Sequence, residues 1–194
     1  MKTNQKTRQK QESRAAITTS AVALLRERGI KASSVSDVMK GAGLTVGGFY
    51  NHFDSKEELF VETLRNATSE AWGGLLKSAK GVSSRAQSAK VIRGYLSREH
   101  RDKKETGCPL PSAVAEVARV GEPYRSALEQ ELYDIINSFA DMQGGRARCR
   151  EKALGLFALM YGALSLSRAV AGTRLSDEFL QAGKKLSEQC LRDT

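Results

Sequence analysis

Apolar side chains return every three or four residues along almost the whole chain, and no segment shows the strict alternation of a half-buried strand. That spacing admits packed helices and excludes a sheet. The clearest run opens at Glu12, where Ile17, Ala21, Leu24 and Leu25 share one side of a helix that Gly29 is placed to stop. Ser34 and Asp37 have the spacing of a capping box for a short helix over Val35–Ala42, and Thr45 is placed to cap another reaching His52 or Phe53. Ser55 and Glu58 repeat the box at the start of a long helix that Gly73-Gly74 is expected to interrupt. Beyond it the pattern predicts a basic helix over Arg85–His100 and a polar loop over Arg101–Gly107. Helices follow at Ser112–Val120, Tyr124–Met142, Arg146–Ala171 and Ser176–Leu191. The expected fold is all-α with about nine helices.

At 194 residues the chain is long enough for a substantial core. The longest charge-free apolar stretch, Ala153 to Ser167, has 15 residues, whereas a membrane span needs about 20. Residues 1–14 contain no apolar run, so no secretory leader is read there and a cytoplasmic protein is expected. The three cysteines lack a Cys-x-x-Cys pair and there are two histidines, which argues against a structural metal. No nucleophile elbow is present. Neither a catalytic residue nor a cofactor is expected.

The net charge is +9, and residues 1–53 alone hold nine basic and three acidic side chains. A basic stretch containing two short helices around a glycine turn has the layout of a helix-turn-helix. Phe49 and Phe53 are spaced to anchor the second helix. Thr45, Val46, Gly47, Gly48, Tyr50, Asn51 and His52 are then left on or near its outward face, where it can enter a major groove. The expected organisation is a basic flexible arm (1–11, with Arg8 among its cations), a helix-turn-helix domain (12–54) and a helical effector-sensing and dimerisation domain (55–194). A helical adaptor or small enzyme that merely kept the fold is the competing reading.

Ile17-x-x-x-Ala21-x-x-Leu-Leu25, Gly29, Ser33-Ser-Val35, Val38, Ala42-Gly-Leu-Thr45, Phe49-Tyr-Asn-His-Phe53 and Ser55-Lys-Glu-Glu-Leu59 together resemble the tetracycline-repressor (TetR/AcrR) family of bacterial regulators. The resemblance implies a dimeric regulator of double-stranded operator DNA, most often a repressor, that an effector releases. By this likeness Ser34, Tyr50 and Lys56 match positions that hold phosphates, and Thr45, Val46, Gly48, Asn51 and His52 match positions near base edges. Gly47-Gly48 departs from the family's usual small residue followed by Thr or Ser, which shifts readout toward DNA shape.

The rest of the chain matches only in helix style. There the family builds an effector cavity and a four-helix dimer interface. Trp72, Leu76, Leu110, Phe139, Phe157 and Tyr161 are candidates to line the cavity, and are equally explicable as core. Leu156, Leu159, Met160, Ala163, Leu164 and Ser167 cover more than one face of their helix, which suits a dimer seam completed by Leu180 and Leu186. Gly107-Cys108-Pro109 is similar to the Gly-Cys opening of the sixth helix in electrophile-responsive members. It puts a thiol at a helix start beside Arg101, Lys103 and Lys104, where a thiolate sensor is one expectation and a packed small residue the other.

Overall fold

The computed structural model describes residues 2–81 and 83–192, with side chains from residue 5 onward. Among the described residues there are nine α-helices, one 3₁₀ helix and no strand. Helix α1 spans Lys2–Arg28. The arm expected to be flexible is helical, because residues 2–14 contain no glycine or proline and are rich in Lys, Gln and Arg, good helix formers. Arg8 and Glu12 add an exposed i,i+4 pair at 3.4 Å, worth little by itself.

Gly29 ends α1 at φ +83, with its N–H donated to the Leu25 carbonyl. Helix α2 (Val35–Gly41) has the expected capping box: Ser34 Oγ accepts from Asp37 N–H at 3.0 Å, and Asp37 accepts from Ser34 N–H at 3.1 Å. After Gly43 (φ +69) comes not an α-helix but a 3₁₀ helix, Val46–Asn51, and Thr45 gives it no side-chain cap. Gly47-Gly48 supplies the reason, since two glycines in one turn remove the propensity that would sustain the wider helix.

Helix α3 (Lys56–Ser78) starts on Ser55, whose Oγ accepts from Glu58 N–H at 3.0 Å, and runs unbroken through Gly73-Gly74. The expected interruption is absent because the buried side of α3 (Leu59, Phe60, Leu64, Ala67, Trp72) is held by tertiary packing, which outweighs the ~1 kcal/mol per glycine. Close packing does not explain these glycines either, for a Cβ on either would meet no atom within 4 Å.

The basic helix is shorter than expected. Helix α4 covers Ser84–Tyr95, and Ser97 caps a separate turn, α5 (Arg98–Asp102), within what the pattern gave as one helix and a loop. Helices α6 (Leu110–Val120), α7 (Tyr124–Met142), α8 (Arg146–Ala169) and α9 (Arg174–Cys190) complete the chain.

Helix α8 is the axis of the C-terminal part, packed on α9, α7, α6, α5 and α4. A Cβ on Gly183 of α9 would lie 2.6 Å from the Ala163 Cβ, so the two helices cross at glycine distance. Buried Ser167 and Ser176 exchange hydrogen bonds of 2.8–3.0 Å beside that crossing. This central position corrects the dimer-seam assignment. Leu156, Met160, Ala163, Leu164, Ser167 and Leu180 are buried inside the protomer, Leu159 is half-buried, and only Leu186 is exposed. Cys149 is buried with its thiol on the Gln143 carbonyl, whereas Cys190 is exposed.

Candidate nucleic-acid interface and the core behind it

The 3₁₀ helix is fixed from beneath. Phe49 and Phe53 are fully buried and stack at 5.8 Å. Arg14 of α1 lies over the Phe53 ring at 4.0 Å, donates to the His52 carbonyl and pairs with Glu62 of α3 at 2.5 Å. One guanidinium thus ties the end of this helix to both neighbouring helices. No motif announced that role.

The outward face carries the expected side chains. Tyr50 is 70% exposed and Val46 48%. Thr45, Gly47 and Asn51 are exposed, while Gly48 and His52 are half-buried. Tyr50 meets the edge of Phe49 at 5.2 Å but leaves its own ring in solvent. A shallow cleft separates Asn51 and His52 from Lys6, Gln9, Lys10 and Ser13 of α1, so the basic extension borders the same surface. Burial and the nearby Lys10 and Arg14 push the His52 imidazole pKa down, which favours a neutral ring. Arg8 lies on the other side of α1 from Lys6 and Lys10, turned to Glu12. Lys56 is half-buried over Phe60. Ser34 is exposed, but its hydroxyl is engaged by Asp37 as donor and acceptor alike.

Behind this surface α6 is bonded to the end of α1. Glu116 accepts from the Ile30 and Lys31 N–H groups at 2.7 and 2.5 Å, Ser112 Oγ donates to the Arg26 carbonyl at 3.0 Å, and Arg26 donates to the Glu105 carbonyl at 2.7 Å.

The opposite end of α6 begins at Cys108. Its thiol is buried and its pKa is pushed up to about 11 by that burial, although the Leu110 N–H at the helix start faces the sulfur as expected. Burial here opposes the thiolate that the helix terminus favours. The basic residues upstream do not help. Lys103 pairs with Glu99, Arg101 with Asp102 and Asp177, and Lys104 is exposed.

Around Cys108 the structure gathers Trp72, Tyr95 and His100, of which only Trp72 was legible as a candidate. Trp72 stacks on Tyr95 at 5.3 Å and meets Phe157 at 5.7 Å, with Tyr161 next to Phe157. Leu110 and Phe139 are core, and Leu76 is half-buried. His100 accepts the Cys108 N–H on Nε2 at 2.9 Å, so Nδ1 carries the proton and donates to the Tyr95 carbonyl at 2.7 Å. A cleft of about 660 Å³ opens beside it, reaching from Arg26 and Glu70 to Cys108. Among the described residues no group of His, Cys, Asp or Glu could hold a metal ion, and no helix is long and apolar enough to cross a membrane.

Residues 17–63 match the family described as bacterial regulatory proteins, tetR family. An uncharacterized HTH-type transcriptional regulator in the lacX 3' region of Lactococcus lactis subsp. lactis is 28% identical over 130 residues, 64% of this chain and 65% of that protein. The HTH-type transcriptional repressor KstR2 of Rhodococcus jostii (strain RHA1) is 40% identical over 67 residues, 34% of this chain and 33% of that repressor. The chain thus spans just under two-thirds of the first relative and a third of the second. In fold it is similar to a TetR transcriptional regulator of Chloroflexus aurantiacus J-10-FL (TM-score 0.82, 21% identity, covering 96% and 98% of the two chains). It is likewise similar to the reduced form of E. coli NemR (TM-score 0.77, 20% identity, covering 92% and 96%). Residues 17–63 thus match the tetR family of bacterial regulatory proteins, and the chain as a whole shares the all-helical fold of TetR-type regulators.

Proposed function

We propose that this chain is a cytoplasmic homodimeric transcription regulator, a repressor, that binds operator DNA through two copies of the Val46–Asn51 helix and leaves it on binding an effector. The observation that carries the reading is the contrast within that helix: Phe49 fully buried, Tyr50 70% exposed. An anchored turn that holds polar and small side chains in solvent, on a basic surface, is suited to a groove. It calls for no catalytic step.

Dimerisation is supported by a surface that shares only Leu159 and Leu186 with the expected one. Leu159, Gly162 and Leu166 of α8 follow one another at helical spacing, with Leu166 50% exposed. Leu175 and Leu186 of α9 are 47% and 49% exposed. Two exposed apolar helix faces side by side suit a two-fold seam. The buried, protonated thiol of Cys108 favours a reversible ligand over thiol chemistry as the trigger.

The test is a mobility-shift titration on the DNA upstream of the chain's own gene against random duplex of equal length. A regulator prefers the upstream DNA by about 10³-fold or more. Equal affinity for both would leave the adaptor reading in its place.

A further inference from the structure

Residues 5–12 of α1 are all exposed, yet they continue without a break the helix whose Ile17, Ala21 and Leu25 are buried. The stretch contains no hydrophobic residue. A helix polar all round gains nothing from packing on a core, and without an apolar face it does not suit a membrane surface. Its charges are sorted by side. Arg8 is turned to Glu12, the first acid of the chain. Lys6, Gln9, Lys10 and Ser13 lie within about 100° of one another round the helix, and together they face Asn51 and His52 across a shallow cleft. Lys10 is near enough to His52 to join burial in lowering the pKa of that imidazole. Among the described residues neither Lys6 nor Lys10 has an ion-pair or hydrogen-bond partner for its ammonium.

We propose that this edge of α1 is a second DNA-binding surface, on which Lys6 and Lys10 each hold a backbone phosphate of the strand bordering the groove that receives Val46–Asn51. It rests on the regulator reading above for where the duplex lies, and extends the contact beyond the helix-turn-helix. The lysine ammonium is a compact charge with three donors; it suits a phosphate oxygen and makes no choice between bases. Four residues apart, Lys6 and Lys10 are separated by about 6 Å along the helix, so both can meet one strand. The helix matters as much as the charge. A flexible arm would lose backbone freedom on binding at every residue it ordered, whereas a preformed helix presents both cations already in place. Arg8, turned away and paired, has no part in this surface.

The test is a salt titration of DNA binding by the full-length wild type and the Lys6→Gln/Lys10→Gln double variant. Two duplexes of equal length are compared, the DNA upstream of the chain's own gene and a random sequence. Glutamine forms helix about as well as lysine, so helicity and melting temperature should stay at the wild-type values. At ~0.1 M salt both duplexes should be bound at least about tenfold more weakly, with their ratio unchanged. The slope of log K against log salt should become shallower by about 2 per bound protomer, and each single variant should give half of that change. Arg8→Gln should leave the slope where it was. An unchanged slope in the double variant, an equal change in Arg8→Gln, or a loss confined to the upstream duplex would overturn the phosphate surface. A wild type that binds both duplexes equally, with a slope that the double variant still lowers, overturns the regulator reading instead and leaves this surface standing. A wild type that binds neither duplex overturns both.

Discussion

The Glu116 carboxylate accepts the Ile30 N–H at 2.7 Å, joining α6 to the first residue after the Gly29 stop of α1. The second oxygen takes the Lys31 N–H, so one side chain serves two backbone donors that no helix satisfies. Gly29 is required twice over here. Its φ is +83, and an added Cβ would lie 2.3 Å from Glu116 Oε2. Glu116→Ala should lower stability by about 2 kcal/mol, the scale of charge-assisted bonds lost with donors left behind. Gly29→Ala should lower it by at least as much through backbone strain and clash. Because the clash is with Glu116 itself, the double variant should be less destabilised than the sum by about 1 kcal/mol. Urea denaturation of all four proteins measures this; simple additivity would show that the contact is not made.

On the surface proposed to face DNA the side chains divide by role. Asn51, exposed and with no side-chain hydrogen bond among the described residues, should read bases. Asn51→Ala is expected to reduce the preference for operator over random duplex about tenfold. Lys56→Ala and Tyr50→Ala should weaken both duplexes alike, and Lys56→Ala should lower the salt slope by about 1. Competition shifts at several salt concentrations separate the two classes.

Gly73 and Gly74 lie in an unbroken helix with open space at both Cβ positions. Gly74→Ala should therefore stabilise the protein by about 0.5–1 kcal/mol, since alanine restricts the unfolded chain and meets nothing in the folded one. Thermal unfolding reads the gain. If the glycines serve as a flexing point, the same variant, more stable, should respond less to effector in the shift assay.

Local features were legible and distant ones were not. The Ser34–Asp37 box, the Ser55 cap and the Gly29 stop are written within four residues of the bonds they form, and each is present in the structure. The outward face of Val46–Asn51 followed from the four-residue spacing of Phe49 and Phe53. Helix α8 shows where the signal ends: Leu164 is buried and Leu166 half exposed on a helix apolar all round, so periodicity could not tell core from seam. Cys108 is only half legible for a related reason. The helix start that lowers a thiol pKa is visible in Gly-Cys-Pro, but the burial that raises it is made by the fold and by no neighbour in sequence. Arg14, Arg26 and Arg168 belong to no motif, and only folding brings them to Phe53 and Cys108.

His100 should give the protein a distinct acid sensitivity. Its ring is neutral, accepting on Nε2 and donating from Nδ1, and burial holds its pKa below the ordinary histidine value. The unfolded chain binds the proton more readily than the folded one. The stabilising contribution is thus complete above the unfolded pKa of about 6.5 and is lost as pH falls through the folded value. Carboxylates whose pKa values are depressed, such as Asp37 and Asp177, lose their contributions at lower pH, below about 4. The melting temperature should therefore fall as the pH drops below about 6.5, and fall less in His100→Gln. His52, also depressed, contributes in the same window, so His52→Gln is the companion variant. Identical pH profiles for wild type and His100→Gln would contradict the neutral-ring assignment.

The proposed seam offers the sharpest contrast between two leucines of one helix. Leu156 is 2% exposed and Leu166 50%. Leu156→Ala removes a side chain enclosed by its own protomer and should cost about 3 kcal/mol of folding stability, with little direct effect on association. Leu166→Glu and Leu186→Glu leave the protomer core untouched and place a charge on the apolar faces of α8 and α9, where a two-fold axis would bring it close to its own copy. Each is expected to shift sedimentation from dimer to monomer. Operator affinity should collapse with it, because two reading helices joined in one molecule bind far more tightly than either alone. A dimer that survives both glutamate substitutions would move the seam away from Leu166 and Leu186.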